Sequence, residues 1–219
     1  MSFSFRIKIC GITSEEVARA AVDAGADHLG LVFCASARRV TLERASLLVA
    51  EIPASWVGVF ADAPLEEVAR IARELGLASI QLHGRETPEE CRIVRERTGV
   101  PVWKAISAAD ATEDGYEAVV DALLLDAGPG GTGRTLDWVM TGARFPRARR
   151  VVPLLLAGGL GPENVARAIH EAQPDGVDAS SRLELVPGVK DPGLVWAFVH
   201  EARAAADAAS ENGIAGAAP

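Results

Sequence analysis

Short apolar runs alternate along this chain with segments that read as helices, and turn or capping residues stand at the junctions. The first run, RIKIC over 6–10, places Arg6, Lys8 and Cys10 on one face of a strand and Ile7 and Ile9 on the other. Gly11 breaks it. Thr13 or Ser14 then caps a helix over 15–24, with Glu15 and Glu16 favouring the positive end of its dipole and Gly25 closing it. The same unit recurs, with strands over 27–33, 56–60, 79–82, 101–106, 122–126, 151–157 and 176–179. Helices are predicted over 41–50, 64–75, 87–97, 116–120, 136–143, 162–172 and 192–206, helped by Pro64 and Pro88 near their starts and by Gly76 and Gly99 at their ends. Pro153 weakens the seventh run as a central strand.

Eight strands alternating with eight helices, the strands rich in Val, Leu and Ile, predict parallel strands buried on both faces. The count fits a (β/α)₈ TIM barrel better than a doubly wound open sheet, which usually offers fewer repeats in this length. Residues 1–206 read as one domain, and 207–219, mostly Ala, Gly and polar residues, as a disordered tail.

Charge narrows the partners. A net charge of −8 argues against a nucleic-acid or membrane-surface binder, so an anionic small molecule requires a local site. Three cysteines with no CxxC pair and no histidine cluster suggest neither a disulfide framework nor a metal site, and reduced thiols imply the cytoplasm. No signal core or apolar run of transmembrane length is present.

In such barrels the active face lies at the carboxyl ends of the strands. Those ends carry Cys10, Arg38, Gln81, His83 and Asp126, then the glycine runs Gly130–Gly133 and Gly158–Gly159, then DASSR from Asp178. Each has a bland reading: Cys10 as core filler, Asp126 as a cap, His83 as a solvated loop residue, Arg38 and Arg39 as an exposed pair, the glycines as turns. Their placement on one rim favours a site. Gly158 and Gly159 let backbone N–H groups approach an anion, and Ser180 and Ser181 add hydroxyls, which suits a phosphate after strands seven and eight.

KICGIT, QLHG, LLLDA, GGTG followed by Arg134 and LDW, LAGGL, and GVDASS followed by PGVKD resemble the phosphoribosylanthranilate isomerase family from the first strand to Asp191. The resemblance implies tryptophan biosynthesis and a cofactor-free Amadori rearrangement of a phosphorylated substrate. By that similarity Asp126 is the general acid at the ribose ring oxygen and Cys10 the general base at C2′. Lys8, on the same strand face, is expected to lower the thiol pKa, and burial to raise that of Asp126. Arg38 matches the position that holds the anthranilate carboxylate, and Gln81, His83 and Asp178 match positions near the substrate. One departure stands out: Arg182, Leu183 and Glu184 follow the serines where the family usually has Gly, Val and Glu. Arg182 either disturbs the phosphate loop or adds a charge to it. Rival readings are the histidine-pathway sugar-phosphate isomerase, which uses paired aspartates, a dual-substrate enzyme, and a non-catalytic barrel that binds a phosphate ligand.

Overall fold

Eight parallel strands close into a barrel in order of sequence in the computed structural model, which describes residues 3–107, 115–127 and 135–215. The Gly130–Gly133 run and Arg134 lie outside the described residues, as do 216–219. The strands are β1 (Arg6–Cys10), β2 (His28–Val32), β3 (Trp56–Phe60), β4 (Ser79–Leu82), β5 (Val102–Ser107), β6 (Ala122–Asp126), β7 (Leu154–Leu156) and β8 (Gly176–Ala179). β8 returns to pair with β1, setting Lys8 beside Asp178, while Cys10 lies beside Gly30 of β2.

The helices around the barrel are α1 (Glu15–Asp23), α2 (Leu42–Glu51), α3 (Leu65–Leu75), α4 (Pro88–Thr98), α5 (Trp138–Arg144), α6 (Val165–Ala172) and α7 (Pro192–Ala215). Their ends follow local chemistry. Ser14 and Thr41 accept N-cap bonds, Thr87 and Glu90 form a reciprocal capping box, and Gly76 and Gly99 close α3 and α4 in the left-handed region.

Alternation along the strands splits the core in two. Val57, Trp103, Ala105, Leu124 and Leu155 fill the barrel interior. Ile7, Ile9, Leu31, Ile80, Leu125 and Leu156 face the helices, each wholly or almost wholly buried. Burial of each such side chain is worth about 1.5–3 kcal/mol. This packing fixes the register that brings the strand ends level.

The structure differs locally from the sequence expectations. The helix predicted over 116–120 is a run of turns, in which Val119 and Val120 both donate to the Tyr116 carbonyl; so short a segment cannot repay helix nucleation. The seventh strand begins only after Pro153, which has no N–H to give, although its carbonyl still accepts from Leu123. The helix predicted over 162–172 starts at Val165. The tail expected to be disordered from 207 instead continues α7 to Ala215, because its alanines favour helix and Ala206 is buried. A hairpin not foreseen, β9 (Glu184–Val186) with β10 (Val189–Lys190), follows β8. Gly188 turns it with φ 86°, and a Cβ there would collide with the Ala37 carbonyl oxygen, so the hairpin lies close against the loop after β2.

Candidate active site

A cavity of about 280 Å³ opens at the carboxyl ends of the strands. Cys10, Arg38, His83, Asp126, Gly158, Gly159, Asp178, Ser180 and Ser181 all line it, which brings together nearly every residue the sequence singles out. Gln81 does not reach it. That side chain is wholly buried beneath the floor, with Nε2 3.0 Å from His83 Nδ1.

Cys10 ends β1 on the inner face, 8% exposed, with room made by Gly30, where a Cβ would stand 3.0 Å from its sulfur. Lys8, two residues earlier on that face, donates to Asp178 Oδ1 at 2.9 Å. Burial pushes the Cys10 thiol pKa up; Lys8 pulls it down, Asp178 pushes it up again, and the net shift is upward. Lys8 acts in the expected sense, but loss of water around the sulfur outweighs it. Lys8 itself stays charged, since Asp178 and Cys10 more than offset the cost of its burial.

Asp126 faces the cavity from the end of β6, its side chain 15% exposed and Oδ2 3.3 Å from His83 Nε2. His83 stands just past β4, held there by a backbone bond to the Phe60 carbonyl. The thiol and this carboxylate thus approach one space from β1 and β6.

Gly158 and Gly159 both adopt positive φ, 86° and 62°. A Cβ on Gly158 would stand 2.6 Å from the Ala127 Cβ and 3.0 Å from Asp126 Oδ1, so the close approach of this loop to Asp126 requires glycine. Asn164 shapes the loop by accepting from the Gly161 N–H and donating to the Gly159 carbonyl, both at 2.9 Å. The Ser180 hydroxyl donates to the Cys10 carbonyl at 2.9 Å. Arg182 bonds Glu163 at 2.6 Å, tying the loop after β8 to the one after β7.

Arg38 meets a partner the sequence reading passed over. Its Nε and Nη2 donate to Glu184 Oε1 and Oε2 at 2.6 and 2.8 Å, a bidentate fork. Burial favours a neutral Glu184, but Arg38 and Lys190 hold its pKa below the ordinary carboxylate range. Lys190 Nζ also donates to the Ser180 carbonyl at 3.0 Å, so the hairpin braces both Arg38 and the serine loop. Lys190 lies within PGVKD and Glu184 beside the serines, so the motif contained both residues but not their partners. Cys34 is a further lining residue without a sequence signal. Among the described residues no group of three His, Cys, Asp or Glu is placed to hold a metal ion.

With this geometry in view, the chain matches the family model of N-(5'phosphoribosyl)anthranilate (PRA) isomerase over residues 7–201. It is 45% identical to N-(5'-phosphoribosyl)anthranilate isomerase of Rubrobacter xylanophilus over 208 residues, 90% of this chain and 98% of that one. It is 43% identical to the enzyme of that name from Desulforudis audaxviator over 210 residues, 91% of this chain and 98% of that one. Among solved structures, a phosphoribosyl anthranilate isomerase in complex with reduced 1-(o-carboxyphenylamino)-1-deoxyribulose 5-phosphate superposes with a TM-score of 0.77. It is 36% identical, with 91% of this chain and 99% of that chain covered.

Proposed function

The chain belongs to the family of N-(5'-phosphoribosyl)anthranilate isomerases, and from that membership we infer how its own residues carry out the reaction. It isomerises N-(5'-phosphoribosyl)anthranilate to 1-(2-carboxyphenylamino)-1-deoxyribulose 5-phosphate in tryptophan biosynthesis. The observation that carries the assignment of roles is that a thiol on β1 and a carboxyl group on β6 line one cavity beside a glycine loop.

Asp126 gives its proton to the ribose ring oxygen. The C1′–O4′ bond breaks toward that oxygen as the anilino nitrogen lone pair forms the C1′=N bond of a Schiff base. Cys10, as thiolate, then removes the C2′ proton. The C–H electrons form C1′=C2′ and the imine electrons return to nitrogen, giving the enolamine. Loss of the enol proton and protonation at C1′ yield the ketone, with no net gain or loss of atoms. Lys8 stabilises the thiolate once formed.

Substrate is held at both ends. Glu184 fixes one edge of the Arg38 guanidinium, which leaves Nη1 for the anthranilate carboxylate. Gly158, Gly159, Ser180 and Ser181 receive the phosphate, chiefly through backbone N–H groups, because the Ser180 hydroxyl is engaged with Cys10. Asp178 acts on the substrate through Lys8, and Gln81 through His83. The Arg182–Glu163 bond supports the reading that arginine replaces glycine here without closing the cradle. We place the protein in the cytoplasm, a reading supported by its free cysteines. Among the described residues no helix is long and apolar enough to cross a membrane.

The test is the loss of substrate fluorescence, with substrate generated in situ. Cys10→Ser and Asp126→Asn should each lower kcat by about 10³-fold or more while unfolding at the wild-type temperature. Near-normal kcat in either variant would remove that residue from its role.

A further inference from the structure

β4 and the residue after it send two alternate side chains toward the barrel axis, Gln81 and His83, and the second meets the proposed acid. Gln81 is wholly buried, and its Oε1 has no hydrogen-bond partner among the described residues. Leaving a buried acceptor without a partner is destabilising. On the far side of the ring Nε2 faces the acceptor Asp126 Oδ2, so the geometry selects the orientation in which Gln81 Nε2 donates to His83 Nδ1. With Nδ1 accepting, a neutral His83 carries its proton on Nε2. That N–H faces Asp126 Oδ2 across 3.3 Å, a spacing typical of a catalytic contact that tightens when substrate is bound.

We propose that His83 is a positioning residue for the acid. Gln81 locks its tautomer, and its Nε2–H holds the carboxylate that Asp126 becomes as the ring oxygen takes the proton. The inference rests on the reading of Asp126 as general acid. The contact gains strength only as negative charge develops on Asp126, so its benefit falls on the chemical step rather than on binding. It also accounts for a buried amide kept with one end unsatisfied: the orphaned oxygen is the cost of a fixed tautomer.

Steady-state kinetics of the full chain test the relay. His83→Leu should lower kcat by about 100-fold with KM changed less than about threefold, in line with the loss of one preorganised donor. His83→Gln, whose amide can present a donor where Nε2 stood, should restore kcat to within about tenfold of wild type. Gln81→Leu should lower kcat by about tenfold through a freed His83 ring, without a matching fall in unfolding temperature. Wild-type kcat in His83→Leu, equal losses in the Leu and Gln variants, or a loss confined to KM would overturn the proposal; the last would make His83 a substrate contact. Asp126→Asn separates this from the premise. Turnover retained in that variant alone removes the acid assignment. A further loss when His83→Leu is added to it overturns the relay by itself, because the effect would not run through Asp126.

Discussion

Two of the three buried lysines, Lys8 and Lys104, lie on opposite faces of the barrel wall, and the difference between them separates scaffold from the proposed chemistry. Lys104 projects outward from β5 and spends all three donors: on the Leu82 carbonyl at 3.2 Å, the Gly84 carbonyl at 2.7 Å and Glu86 Oε2 at 3.0 Å. Glu86 in turn accepts from the backbone N–H groups of Asp62 and Gly84. That network is closed, and it fixes the loop that follows β4. Lys8 projects inward from β1, gives one donor to Asp178 and turns the rest of its charge on the Cys10 sulfur. Its network is left open at a reactive atom. Burial, charge and an acidic partner are common to both, so none of them marks the functional lysine. What marks it is a donor turned toward the thiol of the proposed base.

The sharpest way to break this comparison is Lys8→Met, which should lower kcat by about 10³-fold, within the range expected for losing an acid–base partner. A double variant, Lys8→Met with Asp178→Leu, should recover stability without recovering turnover, since an apolar pair can replace a buried ion pair. More than a tenth of wild-type turnover in the folded single variant would reduce Lys8 to scaffold. Lys104→Met should behave in the opposite way, costing about 3–5 kcal/mol in urea unfolding while kcat stays within about threefold. A kinetic loss comparable to that of Lys8→Met would erase the distinction. The smallest effect is a slope. Because burial raises the Cys10 pKa, thiolate is scarce at neutral pH, and iodoacetamide labelling of the Cys10 peptide should accelerate about tenfold per pH unit between about pH 7 and 9. A plateau at neutral pH would mean that Lys8 outweighs burial.

The strands were legible because short buried runs leave few alternatives. β1, β3, β4, β6 and β8 have the bounds that alternation and turn residues assign to them. The hairpin after β8 was not legible, since Leu185, Val186 and Val189 are exposed and its strands are too short to show a period. Alternation likewise placed Cys10 and Asp126 on the active rim. The pairings of the site were hidden for a different reason: Arg38 and Glu184 stand 146 residues apart, and Lys8 and Asp178 stand 170 apart. No local pattern encodes such partners. The net upward shift of the thiol was hidden for the same cause, because burial belongs to the closed barrel and not to the segment RIKIC.

The pairing of β8 with β1 has a consequence for folding. The Lys8–Asp178 ion pair and the Ser180–Cys10 bond both cross the junction where the ring shuts. Contacts of such sequence separation form late and slowly, after shorter loops have closed. A refolding chain can therefore build most of its wall before the proposed base is set in place. Recovery of turnover during refolding reports ring closure itself, and a helix-sensitive signal should run ahead of it.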